Sequence, residues 1–219
     1  MNIAVYTVII GKFDRLKSIK SEFKNQADYY LFTDQDIETD DYTVRKVVNE
    51  SRNNRRESRK YKICPHLYLP DYDYWLYMDG SFDLLASPRG LINKYMSEHD
   101  LTVFKHPWYD CLYREFEVCT SFKMITEGNA KRQRDFYISE GYPRHNGLTE
   151  NGVILRRNTE QIRNFNDFWY GIYQQYNPRD QLSFCYCTWK LGIKYNIFEG
   201  QTSNPALTMT REFKLHGHG

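Results

Sequence analysis

Residues 2–10, Asn-Ile-Ala-Val-Tyr-Thr-Val-Ile-Ile, are a nearly unbroken run of β-branched and apolar side chains, closed by Gly11. A run with so little polar alternation suits a strand covered on both faces, which places it inside a sheet with helices packed over it. Further short apolar runs at 29–33, 43–48, 74–78, 101–105, 152–156 and 194–198 read as strands. Helix-period stretches fall between them at 15–25, 51–69, 88–97, 112–126, 129–140, 159–175 and 179–191, the second of these stopping at Pro70. This alternation predicts an α/β fold with a mostly parallel central sheet flanked by helices. In such sheets ligands bind beyond the carboxyl ends of the strands, so the residues just after each strand are where chemistry is sought.

Composition narrows the functional classes. The 219 residues carry 30 Lys+Arg against 28 Asp+Glu, a formal charge of +2, too balanced for a protein that binds nucleic acid or anionic membranes through bulk charge. The length suits one domain, and 41% hydrophobic residues suffice for a real core. No apolar run approaches the roughly 20 residues of a membrane span. The opening residues lack a basic region and a small-residue cleavage site, and so read as the first strand and not a leader. Five cysteines, an odd number without scaffold or metal-type spacing, favour a reducing, cytoplasmic setting. Nineteen Tyr, 13 Phe and 4 Trp would suit polar ligands with flat faces, without proving one.

Four segments carry candidate chemistry. The run 74–83, Tyr-Trp-Leu-Tyr-Met-Asp-Gly-Ser-Phe-Asp, delivers Asp79 to the end of an apolar strand, followed by Gly80, Ser81 and Asp83. Hard divalent ions need clustered oxygen donors, and a diphosphate can complete the octahedron, so Asp79 with Ser81 or Asp83 could hold one; the plain alternative is a strand-to-turn junction. Arg52, Arg55, Arg56 and Arg59 share one helical face that Lys62 extends, suited to phosphate oxygens or simply to solvent. In 177–184, Asn177 suits an N-cap and Pro178 the first helical position, leaving Asp180 in the first turn, where an acid also complements the helix dipole. In 148–155 a polar triplet with Gly152 enters a strand; Gly permits close approach of a ligand and Asn151 can meet hydroxyls, although the segment is also an ordinary turn. At the end, His216 and His218 could ligate a metal or belong to a frayed terminus. Cys185 and Cys187 have no second pair and read as buried filling.

The order of these elements has a counterpart. Tyr6-Thr7…Gly11-x-Phe13-Asp14, Asp28-Tyr29-Tyr30-Leu31-Phe32-Thr33-Asp34, Arg59-x-x-Lys62, Leu69-Pro70-x-Tyr72-Asp73-Tyr74-x-Leu76-Tyr77-x-Asp79, Phe104-Lys105-His106-Pro107, Gly141-Tyr142-Pro143, the strand from Glu150 and Arg179-Asp180-Gln181-Leu182-Ser183-Phe184 follow one another along nearly the whole chain. Together they resemble the glycosyltransferase-like family, once a domain of unknown function, that is linked to plant cell-wall polysaccharide synthesis. They also resemble the amino-terminal glycosyltransferase domain of a large algal-virus protein involved in capsid glycans, a likeness that allows a virus-encoded origin. The resemblance implies a GT-A fold: one Rossmann-like domain over 1–219, with a nucleotide-binding half at about 1–85 and an acceptor and catalytic half at about 86–219. It implies a nucleotide-sugar donor, UDP-linked by preference, a glycan acceptor and Mn²⁺ or Mg²⁺, with no role for nucleic acid.

The layout is also similar to that of the glycogenin-like retaining transferases. By that likeness Tyr6, Thr7, Val8, Ile9 and Phe13 line the base and ribose site. Arg59 and Lys62 neutralise the diphosphate. Asp79, Gly80 and Ser81 stand at the Asp-x-Asp metal motif, Asn151 and Gly152 touch the donor sugar, Asp180 and Gln181 lie beside the anomeric carbon, and His216 is a metal ligand. Two departures stand out: Ser81 replaces the second Asp of the motif, and the Lys that usually follows His-x-x-Gly is missing because the chain stops at Gly219, which suggests a fragment of a longer protein.

The reaction so implied moves a hexosyl or deoxyhexosyl group from a nucleoside diphosphate to a hydroxyl. Asp180 stabilises oxocarbenium-like charge if configuration is retained; Asp180 or Glu150 acts as base if it is inverted. His106 could line the acceptor side or be a satisfied loop histidine. The competing classes are a sugar nucleotidyltransferase, for which 11–14 is too poor in Gly and Arg, and a non-enzymatic RNA or sugar binder using the 52–62 stripe.

Overall fold

The computed structural model describes residues 1–11, 14–176, 179–200 and 210–216. Its centre is a seven-stranded sheet. Strand β1 (Ile3–Ile9), buried along its whole length, pairs in parallel with β2 (Asp28–Thr33) on one side and β4 (Tyr74–Met78) on the other. The short, exposed β3 (Thr43–Lys46) adds to β2 as an edge. Beyond β4, β7 (Thr149–Arg157) inserts antiparallel, followed by β6 (Leu101–Lys105) and β8 (Asn196–Ile197), giving the order β3-β2-β1-β4-β7-β6-β8. The fold is therefore α/β with a mostly parallel sheet, as expected, β7 alone running against its neighbours among the seven strands.

Side chains alternate across β1, as the pleat requires. Ala4, Tyr6 and Val8 enter a core shared with α1 (Asn54–Ile63), α4 (Leu112–Ser121), α5 (Glu127–Ser139), α6 (Glu160–Tyr176) and α7 (Gln181–Lys190). Ile3, Val5 and Ile9 enter the core on the opposite face, with α3 (Pro88–Tyr95) and Phe213. Among the described residues no helix is long and apolar enough to cross a membrane.

Three elements differ from the sequence expectation. The stretch 15–25 is not a helix; only Ser21–Phe23 make a 3₁₀ turn. Tertiary contacts win there over helical period: Asp41 accepts from the Ile19 amide at 2.9 Å and pairs with Lys24, while Ile19 and Phe23 are buried as anchors. The helix expected over 51–69 is two. Asn53 caps α1 by accepting from the Arg56 amide, and the helix ends at Ile63 because Pro65 bars Cys64 from helical backbone (φ −111°, ψ 54°); Pro65 then opens α2 (Pro65–Tyr68). Finally, β5 (Phe82–Leu84) pairs antiparallel with β9 (Phe213–Leu215) in a second, two-stranded sheet that no local pattern announced.

Candidate active site

The carboxyl ends of β1 and β4 and the amino end of the antiparallel β7 open into a cleft of about 830 Å³, lined among others by Val8, Ile9, Asp14, Arg59, Lys62, Asp79, Ser81, Glu150, Asn151, Gly152, Asp180 and Gln181. Each arrives for a local reason. Asp79 is the first residue past β4, its amide donating to the Gly152 carbonyl at 2.8 Å. Asn151 and Gly152 fall in a break of register between β7 and β6: Val103 faces Ile154, but Phe104 faces Glu150, so residues 151–153 are left over as a bulge. Gly152 is obligatory by contact, since a Cβ there would sit 2.8 Å from Phe82 Cε2 and 3.4 Å from Asp79 Oδ2. A Cβ on Gly80 would likewise lie 2.8 Å from Asp14 Cβ.

The floor of the cleft is a buried charge network. Lys62, 2% exposed, sits with Nζ 2.9 Å from Asp180 Oδ2 and 3.5 Å from Asp79 Oδ1, above the Tyr77 ring at 4.8 Å. Arg59 Nε donates to Asp180 Oδ1 at 2.9 Å, and the Tyr77 hydroxyl donates to Asp79 Oδ1. Burial alone would push the Asp180 carboxyl up, but Arg59 and Lys62 outweigh it and hold that carboxyl well below the usual carboxylate range. Burial and the adjacent Asp79 push the Tyr77 hydroxyl far up, so it stays a proton donor.

Asp180 occupies the N-cap position of α7 yet makes no capping bond; its carboxylate serves the network and not the helix. Asn177 and Pro178, expected as cap and first helical residue, lie outside the described residues. Gln181 donates from Nε2 to the Thr149 carbonyl at 3.0 Å. Asn151 is 5% exposed; its Oδ1 accepts from the Thr149 hydroxyl, while Nδ2 is buried in the cleft wall with no partner, a donor held ready for a ligand.

Other expected site residues stand apart. Tyr6 is turned fully into the core, where its hydroxyl donates to the Lys62 carbonyl at 2.8 Å and accepts from Arg156; it shares a face of β1 with Val8, which lines the cleft, but lies two residues further from the strand end, beneath α1, and does not line it. Thr7 is buried, its hydroxyl without a partner, and also does not line the cleft. Phe13 lies outside the described residues, as does His218. His106 is a satisfied loop histidine: Nδ1 accepts from the Tyr109 amide at 3.1 Å, and burial, with Arg179 nearby, pushes it down to about 4. Its Nε2 faces Glu115 and Glu150 at 3.9 and 4.0 Å.

A family model described as the TOD1/MUCI70 glycosyltransferase-like domain matches residues 1–210. The chain belongs to this family. A probable hexosyltransferase, MUCI70 of Arabidopsis thaliana, is 22% identical over 228 residues, covering 89% of the chain and 38% of that protein. The alkaline ceramidase TOD1 of the same plant is 26% identical over 151 residues, 63% of the chain and 33% of that protein. The chain thus spans about a third of the length of these curated relatives. The crystal structure of mouse xyloside xylosyltransferase 1 in its apo form superposes with a TM-score of 0.51 over 90% of this chain and 85% of that one at 6% identity, a likeness of fold.

Within the TOD1/MUCI70 frame, the expected metal set can be tested on its donors. Among the described residues no three His, Cys, Asp or Glu side chains converge on one point. Strand β9 brings His216 beside the Asp79 turn, its amide donating to the Ser81 carbonyl at 2.8 Å, but its Nε2 lies 2.7 Å from Asp83 Oδ2. A carboxylate and a hydroxyl in the turn between β4 and β5 and an imidazole just after β9 fit a divalent ion by type; to ligate through Nε2, His216 must exchange Asp83 for the ion.

Sequence reading passed over Arg179 as a cleft cation and Asp83 as the partner of His216. The first was hidden beside Asp180, and the second could be found only by bringing together residues 133 positions apart in the chain.

Proposed function

We propose that this TOD1/MUCI70-family domain is a glycosyltransferase that moves a hexosyl or deoxyhexosyl group from a nucleoside-diphosphate sugar, UDP-linked by preference, to a hydroxyl of a glycan acceptor. The observation that carries this reading is the convergence of Asp79, Lys62, Arg59 and Asp180 on one cleft floor at the strand ends, with the unpartnered Asn151 amide in its wall. Val8 and Ile9 offer an apolar flank for a base. Asn151 would donate to a sugar hydroxyl. A Mn²⁺ or Mg²⁺ ion held by Asp79, Ser81 and His216 would, when bound, offset charge on the departing diphosphate.

The chain's own part is positioning and electrostatics. Lys62 fixes Asp79 and Asp180 at a set separation, and Arg59 completes the clamp. Asp180, with both oxygens paired and its proton affinity depressed, is a poor base and a good fixed anion, suited to stabilising oxocarbenium-like charge as the glycosidic bond stretches. That role favours retention of configuration. If configuration is inverted, Glu150, part-exposed in the cleft wall, is the acid residue placed to take the acceptor proton. One relative is named a ceramidase, but a cleft with five cations and four carboxylates on its wall suits a phosphorylated, polyhydroxylated ligand better than a lipid.

Donor hydrolysis with UDP- and GDP-sugars, with and without Mn²⁺, tests the proposal directly. Turnover of a UDP-sugar that falls about 100-fold or more in Asp180→Asn supports it; metal-independent binding of RNA with no donor turnover sinks it.

A further inference from the structure

The sheet sets out the proposed reaction strand by strand. Val8 and Ile9 at the end of β1 flank the base, Asp79 past β4 marks the diphosphate, and Asn151 on β7 meets the donor sugar under the proposed function, on which this inference rests. The next strand in the sheet is β6. It runs antiparallel to β7 and hence parallel to β4, so its carboxyl end lies on the cleft side. There Lys105 pairs with Thr149, and the His106 amide donates to the Leu148 carbonyl at 2.8 Å. Neighbouring strands stand about 4.8 Å apart, which puts the loop after β6 about 10 Å along the sheet from Asp79, one strand beyond the donor sugar. A group held there belongs to the acceptor and not to the donor.

That loop carries Trp108, an indole left 65% exposed yet held by a buried mount. His106 accepts at Nδ1 from the Tyr109 amide at 3.1 Å and from the Trp108 amide at 3.4 Å. Its ring stacks on Tyr109 at 5.2 Å and meets the Trp108 ring edge-on at 5.8 Å, while its Nε2 faces Glu150 of the cleft wall at 4.0 Å. One imidazole thus spans from the cleft wall to the indole. Around the indole, the loop residues that reach solvent are charged: Lys105, Asp110, which is paired with His145 at 2.8 Å, and Arg114, whose guanidinium lies over the Tyr109 ring. A protein partner would seek a wider apolar patch. A pyranose has the matching two-sided chemistry, a C–H face that stacks on an aromatic ring and hydroxyls at its rim for the charged neighbours. We infer that Trp108 is the stacking platform of an acceptor subsite and takes a pyranose ring of the glycan.

Isothermal titration tests this with UDP and GDP, and with β-linked hexasaccharides of glucose, mannose, galactose and xylose in the presence of whichever nucleotide binds. Iodide quenching gives a second readout, since Trp75 and Trp169 are buried and Trp189 half-buried. The expected result is that at least one hexasaccharide binds and shields Trp108 from iodide. Its affinity falls about tenfold in Trp108→Ala and about threefold or less in Trp108→Phe, with affinity for the nucleotide alone unchanged. A hexasaccharide that binds Trp108→Ala as tightly as the wild type, or that leaves Trp108 open to iodide, overturns the inference. So does wild-type protein that binds a nucleotide and none of the four glycans, because an aromatic face reads the C–H side that pyranoses share. A dimer in light scattering that Trp108→Ala splits overturns it too, by making the indole a contact between copies. Wild-type protein that binds neither UDP nor GDP defeats the glycosyltransferase reading first, and the acceptor assignment with it.

Discussion

Removing the Lys62 ammonium is the sharpest probe of the cleft floor. Lys62→Met keeps most of the buried stem and deletes the charge that faces Asp180 at 2.9 Å and Asp79 at 3.5 Å. Arg59 still neutralises one oxygen of Asp180, but Asp79 retains only the Tyr77 hydroxyl. Stripping one partner from a buried ion pair costs about 3–5 kcal/mol, a large share of a total stability of ~5–15 kcal/mol. For a chain of this size that corresponds to a fall in Tm of about 6–20 °C. The double variant Lys62→Met/Asp180→Asn should recover part of the loss, because the stranded charge is gone, with a coupling of ~2 kcal/mol or more in a urea-melt cycle.

The pH profile adds a second readout. Folding holds the Asp180 carboxyl below its unfolded value, so its stabilisation is complete above pH ~4 and fades as pH falls from there through the depressed folded value. Losing Lys62 raises the folded value, so the acid limb of the stability curve moves to higher pH. A cost under ~1 kcal/mol, or strict additivity of the two substitutions, would show that the three side chains do not form the network described.

Gly152→Ala should cost ~1–3 kcal/mol, because the new methyl meets the Phe82 ring, and should weaken nucleotide binding as Asp79 is displaced; thermal melts and UDP titration read the two effects separately. Adding Mn²⁺ should tighten UDP binding in the wild type, and in His216→Ala and Asp79→Ala that increment should vanish while metal-free UDP affinity persists in the former; an undiminished increment in both would remove these residues from the ligand set. All five cysteines are free and buried, with burial pushing Cys64 and Cys119 up to about 12 and Cys185 up to about 11. A thiol reagent at pH 8 should therefore find almost none in the native protein and five after unfolding.

What could be read from the chain, and what could not, divides along the range of the forces involved. Tyr74–Met78 and Leu101–Lys105 were legible to the residue because an uninterrupted apolar run between polar stops leaves a buried strand little choice. Asp79 was legible for the same reason, since a carboxylate at the tip of such a strand is already placed at the ligand side of the sheet. The role of Lys62 was half legible. Its helical spacing from Arg59 put it on the cleft face, but only the fold shows it wholly buried between two carboxylates. Tyr6 went the other way: local likeness placed it at a base, whereas the pleat sends it beneath α1 to bind the Lys62 carbonyl alongside Arg156.

Arg156 makes the same point from the interior. It is fully buried and donates to the carbonyls of Ile63 and Lys62 at the end of α1, so a residue far along the chain fixes the helix end that carries the cleft lysine. The minor sheet of β5 and β9 likewise depends on partners far apart in sequence, and it alone sets His216 against Asp83. The charges in this cleft are thus positioned by long-range contacts: helix spacing sets the order Arg55, Arg59, Lys62, but Asp79, Asp180 and Arg156 decide which of those cations is free to meet a ligand.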